Sequence, residues 1–192
     1  ALGLDNERIN SIALLCEKLA HGTPSGVDNS IATFGIPMLF SNADGLHVDE
    51  LTLRETPPLV IAISHEAGST HAQVAGVRAR YAANRESYAA IFDQIDALSL
   101  AGAKALQTAD YRELGALMNI NHGLLNAIEV STPDIENIVA IARAAGATGA
   151  KLTGGGGGGS VVALCPDSIA DVRDALSAAG YDSLLLTKKG IS

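Results

Sequence analysis

The sequence predicts an α+β fold, on three observations. Several stretches carry apolar residues at helical spacing, as in Ile9, Ile12, Cys16 and Leu19. Between such stretches lie short apolar runs of strand length bounded by turn residues, as at 59–64 and 160–165. Hydrophobic residues make up 47% of the 192-residue chain, which supports a packed core and excludes a disordered chain. The length admits one large domain or two small ones. Thr56-Pro57-Pro58 is the best candidate for a junction and divides the chain into residues 1–57 and 58–192.

Taken in order, residues 5–20 read as a helix with Asp5 as its N-cap. Residues 30–53 read as short strands, with Ile36 to Phe40 and Leu46 to Leu53 forming a hairpin across Ser41-Asn-Ala-Asp-Gly45. Leu59 to Ser64 is a near-continuous apolar run, the pattern of a buried strand. Residues 70–97 read as helical in two pieces, and residues 110–129 as a further helix. In the latter, Asn119, Asn121, His122 and Asn126 interrupt apolar positions, as satisfied core or surface polar groups commonly do, the alternative being that they line the site. Thr132-Pro133 opens another helix, with Thr as N-cap and Pro in the first turn, and Gly146 stops it. Residues 150–153 and 160–165 are strand-like and flank a glycine run. Asp167 or Ser168 caps a last helix that Gly180 ends, and residues 184–187 form a final strand.

The net charge of −8, with no basic block to offset it, excludes nucleic acid as the main partner. Aromatic residues are 4% of the chain and Trp is absent, so no base-stacking platform exists. Cys16 and Cys165 each sit in an apolar run and read as buried free thiols. No run of 18 apolar residues and no signal-peptide pattern occurs, so the expectation is a cytoplasmic protein that does not engage a membrane.

Chemistry concentrates in two places. The first is Glu17-Lys-Leu-Ala-His-Gly-Thr-Pro-Ser-Gly-Val-Asp28-Asn29. Pro24 removes a backbone donor, and Gly22 and Gly26 free the chain, so a helix cannot run through. A helical Glu, a tight turn and an Asp can bring two carboxylates to one cavity, which suits metal-assisted phosphoryl transfer. Alternatively, Glu17 is a solvated helix residue and Asp28 a cap or turn residue. The second is Lys151-Leu-Thr-Gly-Gly-Gly-Gly-Gly-Gly-Ser160. It opens a strand rather than a helix and has no following Gly-Lys-Ser/Thr, so it is neither a dinucleotide fingerprint nor a Walker A loop. It is a flexible linker, or a hairpin turn whose bare backbone can approach phosphate or a neighbouring loop. Ser69 and Thr70, ahead of a predicted helix, are simple caps or part of an anion site.

His21-Gly-Thr-Pro-Ser-Gly-Val-Asp28-Asn29 resembles the second signature of the GHMP kinases, in the form carried by their mevalonate kinase branch. Residues 151–160 are similar to that family's third, glycine-rich signature. The resemblance covers nearly the whole chain. It implies that 1–57 is the remnant of an N-terminal S5-like domain. It also implies that 58–192 is a ferredoxin-like α/β sandwich with extra helices. The implied activity is ATP-dependent phosphorylation of the 5-hydroxyl of (R)-mevalonate, in isoprenoid biosynthesis. Alternatives are another small-molecule kinase of the family, for phosphomevalonate or a sugar, and a non-catalytic binding module. Carried over residue by residue, Asp28 would be the base or orienting carboxylate and Glu17 the Mg²⁺ ligand. Ser25 would support the nucleotide phosphates or the metal, and Thr70 would lie near the phosphates. Gly154, Gly155, Gly156 and Gly157 would lie beside the substrate and the phosphates, with Gly155 where a small non-glycine residue is usual. The family's first signature, a Gly-Leu-Gly-Ser-Ser loop, and the strand bearing its lysine are absent. The expectation is therefore a C-terminal portion with little activity alone, completed by a separate N-terminal chain or self-associating as a homodimer through an exposed sheet edge.

Overall fold

The computed structural model describes residues 3–21, 24–41, 47–187 and 190–191, and the chain divides into two compact units, Ala1–Leu53 and Arg54–Ser192. In the first unit, helix α1 spans Asn6–His21, and the Asp5 carboxylate accepts the Arg8 N–H at 2.8 Å as its cap. A second helix, α2, spans Val27–Phe34 where strands were expected from residue 30. The eight-residue segment is too short to display a helical period. Gly26 (φ 89°) and Gly35 (φ 64°) bracket it in left-handed conformations that favour glycine. A buried polar knot joins the two helices: the Asn29 amide pairs with Asn10, whose Nδ2 donates to Ser30 Oγ at 3.3 Å. Strands β1 (Met38–Ser41) and β2 (His47–Glu50) then pair antiparallel, and the expected hairpin turn at 42–46 lies outside the described residues.

The α1 stripe does not behave as a buried face. Leu15 is 59% and Leu19 89% exposed, and Ile9 and Ile12 are also exposed. Cys16, on the same face, is exposed as well, which corrects the expectation of a buried thiol; Cys165 is buried. Helical periodicity identifies an apolar face but not whether something covers it.

The second unit is built on a five-stranded antiparallel sheet. Its strands are β3 (Leu59–Ile63), β4 (Gly149–Thr153), β5 (Ser160–Leu164), β6 (Ser183–Thr187) and β7 (Gly190–Ile191), in spatial order β4-β5-β3-β6-β7. Without β7 this is the split βαββαβ order of ferredoxin-like sandwiches, the expected architecture. The β3-to-β4 connection carries four helices: α3 (Thr70–Ala83), α4 (Arg85–Thr108), α5 (Tyr111–Ala127) and α6 (Pro133–Ala144). Helix α7 (Ile169–Ala178) links β5 to β6. The α3/α4 break falls at Asn84, and α4 runs eleven residues past the expected end at 97. Thr132 Oγ1 caps α6 by accepting the Ile135 N–H at 3.3 Å, with Pro133 in the first turn as expected.

Alternate residues of three strands, Val60 and Ala62, Ala150 and Leu152, Val161 and Ala163, pack into one core with α6 and α7. Ile135, Ile138, Val172 and Leu176 fill that core from the helices, each fully buried. Helix α5 covers the outer edge of β4. Gly115 lies directly on Thr148 and Gly149, where a Cβ would sit 2.6 Å from the Thr148 side chain. The strand's outward backbone groups are all taken by side chains. Asn119 accepts from Ala150 N and donates to Thr148 O, each at 3.1 Å. Arg143 donates to Ala150 O (2.8 Å), His122 Nδ1 accepts from Leu152 N (3.3 Å) and Lys151 Nζ donates to Leu152 O (2.9 Å). Acceptance at Nδ1 places the His122 proton on Nε2, 3.0 Å from Glu136. Burial keeps His122 below its ordinary pKa and hence neutral.

Candidate functional site

Strands β4 and β5 are joined by the six glycines Gly154–Gly159, and pairing up to Thr153↔Ser160 fixes both ends of the turn. The loop is held from two sides. On one, Gly157 N donates to Val130 O at 2.8 Å, from the α5–α6 connection. On the other, the β3–α3 loop brackets Gly159: Ser64 N donates to Gly159 O at 2.8 Å and Gly159 N to Glu66 O at 3.1 Å. Side chains are excluded by contact as well as by conformation. Gly156 (φ 78°) lies on the Val130 carbonyl and Gly158 (φ 129°) on the Glu66 carbonyl, so a Cβ at either would strike backbone. Gly68 in turn faces the carbonyl of Gly156 at 2.6 Å from where its own Cβ would stand.

A cleft of about 340 Å³ opens at this turn, lined by Gly154, Gly155, Gly156, Gly158 and Gly159 with Thr153 and Ser160, and across from them Gly68 and Thr70. Thr70 is the first residue of α3, whose N-cap Ser69 accepts the Ala72 N–H at 3.3 Å. It sits against Gly155, where a Cβ would lie 2.9 Å from Thr70 Oγ1. The walls are thus backbone and hydroxyl, with no carboxylate among the lining residues, and a helix N-terminus at one side. That chemistry fits a polyanion such as a polyphosphate chain, through oriented N–H groups and the positive end of the helix dipole.

The structure therefore brings Thr70 together with Gly154, Gly155 and Gly156, whereas Gly157 faces Gln73. In the first unit, Asp28 is exposed in the first turn of α2, and Glu17 is half-buried on α1. Ser25 Oγ accepts the Val27 N–H at 3.4 Å, and the neighbouring residues 22–23 lie outside the described residues. Among the described residues no group of three or more His, Cys, Asp and Glu comes together as a metal cluster. An Mg²⁺ bound by one or two of these carboxylates would complete its shell with phosphate oxygens and water, as that ion commonly does. No helix among the described residues is long and apolar enough to cross a membrane.

Sequence reading missed the residues that touch the glycine turn, Ser64, Glu66, Gly68 and Val130, and the Asp134 carboxylate bonded to Ser64. The Asp134 carboxylate, in the first turn of α6, accepts Ser64 Oγ at 2.6 Å, His65 N at 2.8 Å and Tyr181 OH at 2.7 Å. The hydrogen bond from Ser64 is the main cause that lowers its pKa from the ordinary 3.8 to about 2, and those from Tyr181 and His65 add to it. A carboxyl depressed on folding stabilises the fold above its unfolded value and loses that contribution as pH falls through the folded one. The melting temperature of Asp134→Asn is accordingly expected below wild type near neutral pH, with the gap closing between pH 3.8 and about 2. Thermal melts across that range check this; a gap that stays constant contradicts it.

Residues 103–182 match the family model described as GHMP kinases C terminal. Along 99% of its length the chain is 34% identical to the mevalonate kinase of Pyrococcus abyssi and 36% identical to that of Pyrococcus furiosus. It covers 58% of each. The crystal structure of L. major mevalonate kinase in complex with R-mevalonate superimposes with a TM-score of 0.83 at 32% identity, over 92% of this chain and 55% of that one. The chain thus spans about half the length of the relatives it matches.

Proposed function

We propose, since this chain belongs to the GHMP kinase family, that it supplies the phosphate cradle and the reactive carboxylate of a kinase. That kinase transfers the γ-phosphoryl group of ATP to the 5-hydroxyl of (R)-mevalonate. Because the chain spans about half of its relatives' length, the activity is proposed for the full-length protein.

In this reading the glycine turn and the first turn of α3 hold the phosphates, with the Thr70 hydroxyl and backbone N–H groups as donors. Asp28 orients the attacking hydroxyl and accepts its proton as the bond to phosphorus forms. The proton is taken late in a loose transition state. Glu17 would hold Mg²⁺, which when bound neutralises charge on the phosphates, and Ser25 would support the metal or the phosphates. Domain assignment follows the same reading: residues 1–57 end an N-terminal domain and 58–192 are the C-terminal one.

The observation that carries the proposal is the carboxylate-free, backbone-walled cleft at a glycine turn held open from both sides. It is tested by ADP release from the full-length protein with ATP and (R)-mevalonate. Turnover with phosphomevalonate or galactose instead would move the activity to another branch of the family. A protein that binds no ATP would be a non-catalytic module of the same fold.

A further inference from the structure

We propose that Asp134 and Ser64 act as positioning residues for the glycine turn, setting its exit at Gly159 in the geometry that receives the phosphates. The proposal rests on the kinase reading above and deepens it. Neither residue lines the cleft. Both act through the β3–α3 loop, in which a short chain of hydrogen bonds ends on the turn.

The chain begins at the Asp134 carboxylate, whose Oδ2 takes Ser64 Oγ and the His65 N–H together. Ser64 Oγ also accepts the Glu66 N–H at 3.0 Å, so the loop is folded around that hydroxyl. Its main chain then grips both sides of one glycine: Ser64 N holds Gly159 O, and Glu66 O holds Gly159 N. The other carboxylate oxygen takes Tyr181 OH, which itself accepts from Asn137 Nδ2 at 2.8 Å. The Tyr181 ring stacks on His65 at 4.6 Å between centroids. Asp134 therefore ties the N-terminus of α6, the residues before β6 and the β3–α3 loop into one block. The side chain is only 15% exposed, so water replaces these bonds poorly.

The physical need is plain. Six consecutive glycines have little conformational preference of their own, and fixing each of them costs more backbone entropy than fixing any other residue type. A turn of this kind is preorganised only by what it is tied to, and Gly159 carries two of its ties. Loosening that end would spread the N–H groups over several orientations and weaken phosphate binding, while leaving the hydroxyl substrate untouched.

The test uses the full-length protein with Mg·ATP. Ser64→Ala and Asp134→Ala are each expected to raise the KM for ATP about tenfold, the equivalent of 1.4 kcal/mol. The KM for mevalonate and kcat should stay within about twofold. Amide hydrogen exchange at residues 157–160 should quicken in both variants. Asp134→Asn should restore most of the ATP affinity, because its oxygen can still accept from Ser64 and His65 while the amide faces the Tyr181 oxygen. A purely structural role predicts lower melting temperatures with an unchanged KM for ATP, and that result overturns the proposal. Should Asp134→Ala fail to fold, Ser64→Ala decides alone. A wild-type protein that binds no ATP removes the kinase reading itself, whereas ATP binding that Ser64→Ala leaves unchanged removes only the positioning role.

Discussion

Asp28→Asn is expected to lower kcat of the full-length protein by roughly 10²- to 10⁴-fold, the range for loss of a general base. Asn has the shape of Asp but accepts no proton, so the loss should appear in turnover and not in ATP affinity. Stability should barely change. Asp28 is exposed in the first turn of α2, where its charge faces the positive end of a short helix, and losing that interaction costs about 0.5 kcal/mol. The neighbouring Asn29, buried against Asn10, would be the wrong residue for this experiment, since its replacement would disrupt the α1–α2 knot. Kinetics, ATP titration calorimetry and a thermal melt on one preparation check all three points. A variant with more than about a tenth of wild-type kcat would mean that Asp28 takes no proton.

Gly156→Ala is expected to reduce kcat/KM for ATP at least about hundredfold, and Gly154→Ala to do little. Both glycines are left-handed, at φ 78° and 83°, so each alanine bears a conformational strain of about 1 kcal/mol. The difference lies in their surroundings. A Cβ at Gly154 meets nothing within 4 Å, whereas one at Gly156 would press on the Val130 carbonyl and stand 2.8 Å from Val130 Cβ. Val130 O is also the acceptor for Gly157 N, so the methyl group would push away one of the two supports of the turn. The two variants thus separate a shaped cradle from a linker, which would tolerate both. ATP affinity by calorimetry, with circular dichroism to establish folding, decides between them.

The glycine run was legible as a turn between strands, because it interrupts two strand patterns at once, and pairing up to Thr153↔Ser160 bears that out. The ends of α6 were legible through Thr132, Pro133 and Gly146, each with a local conformational reason. What stayed hidden is long-range. Ser64 closes an apolar run and Asp134 looks like an ordinary first-turn acid, and nothing local reveals a bond across 70 positions. Helix α2 was hidden because eight residues between glycines carry too few apolar positions for a period. The extension of α4 past residue 97 was not read, and the helix passes through Ser99 and Gly102 to Thr108. Asn119 and His122 read as core or surface polar groups, and not as partners of a strand edge.

That strand edge has a further consequence for how the protein fails. While α5 stays docked, β4 offers no vacant backbone donor or acceptor from Thr148 O to Leu152 O, and another polypeptide cannot dock there as a sixth strand. Partial melting that lifts α5 would free Thr148 O, Ala150 N and Leu152 N along a strand that runs straight into the glycine turn, while Arg143 of α6 still holds Ala150 O. Aggregation on mild heating should therefore begin with loss of hydrogen-exchange protection at residues 148–152, before the α6–α7 core opens.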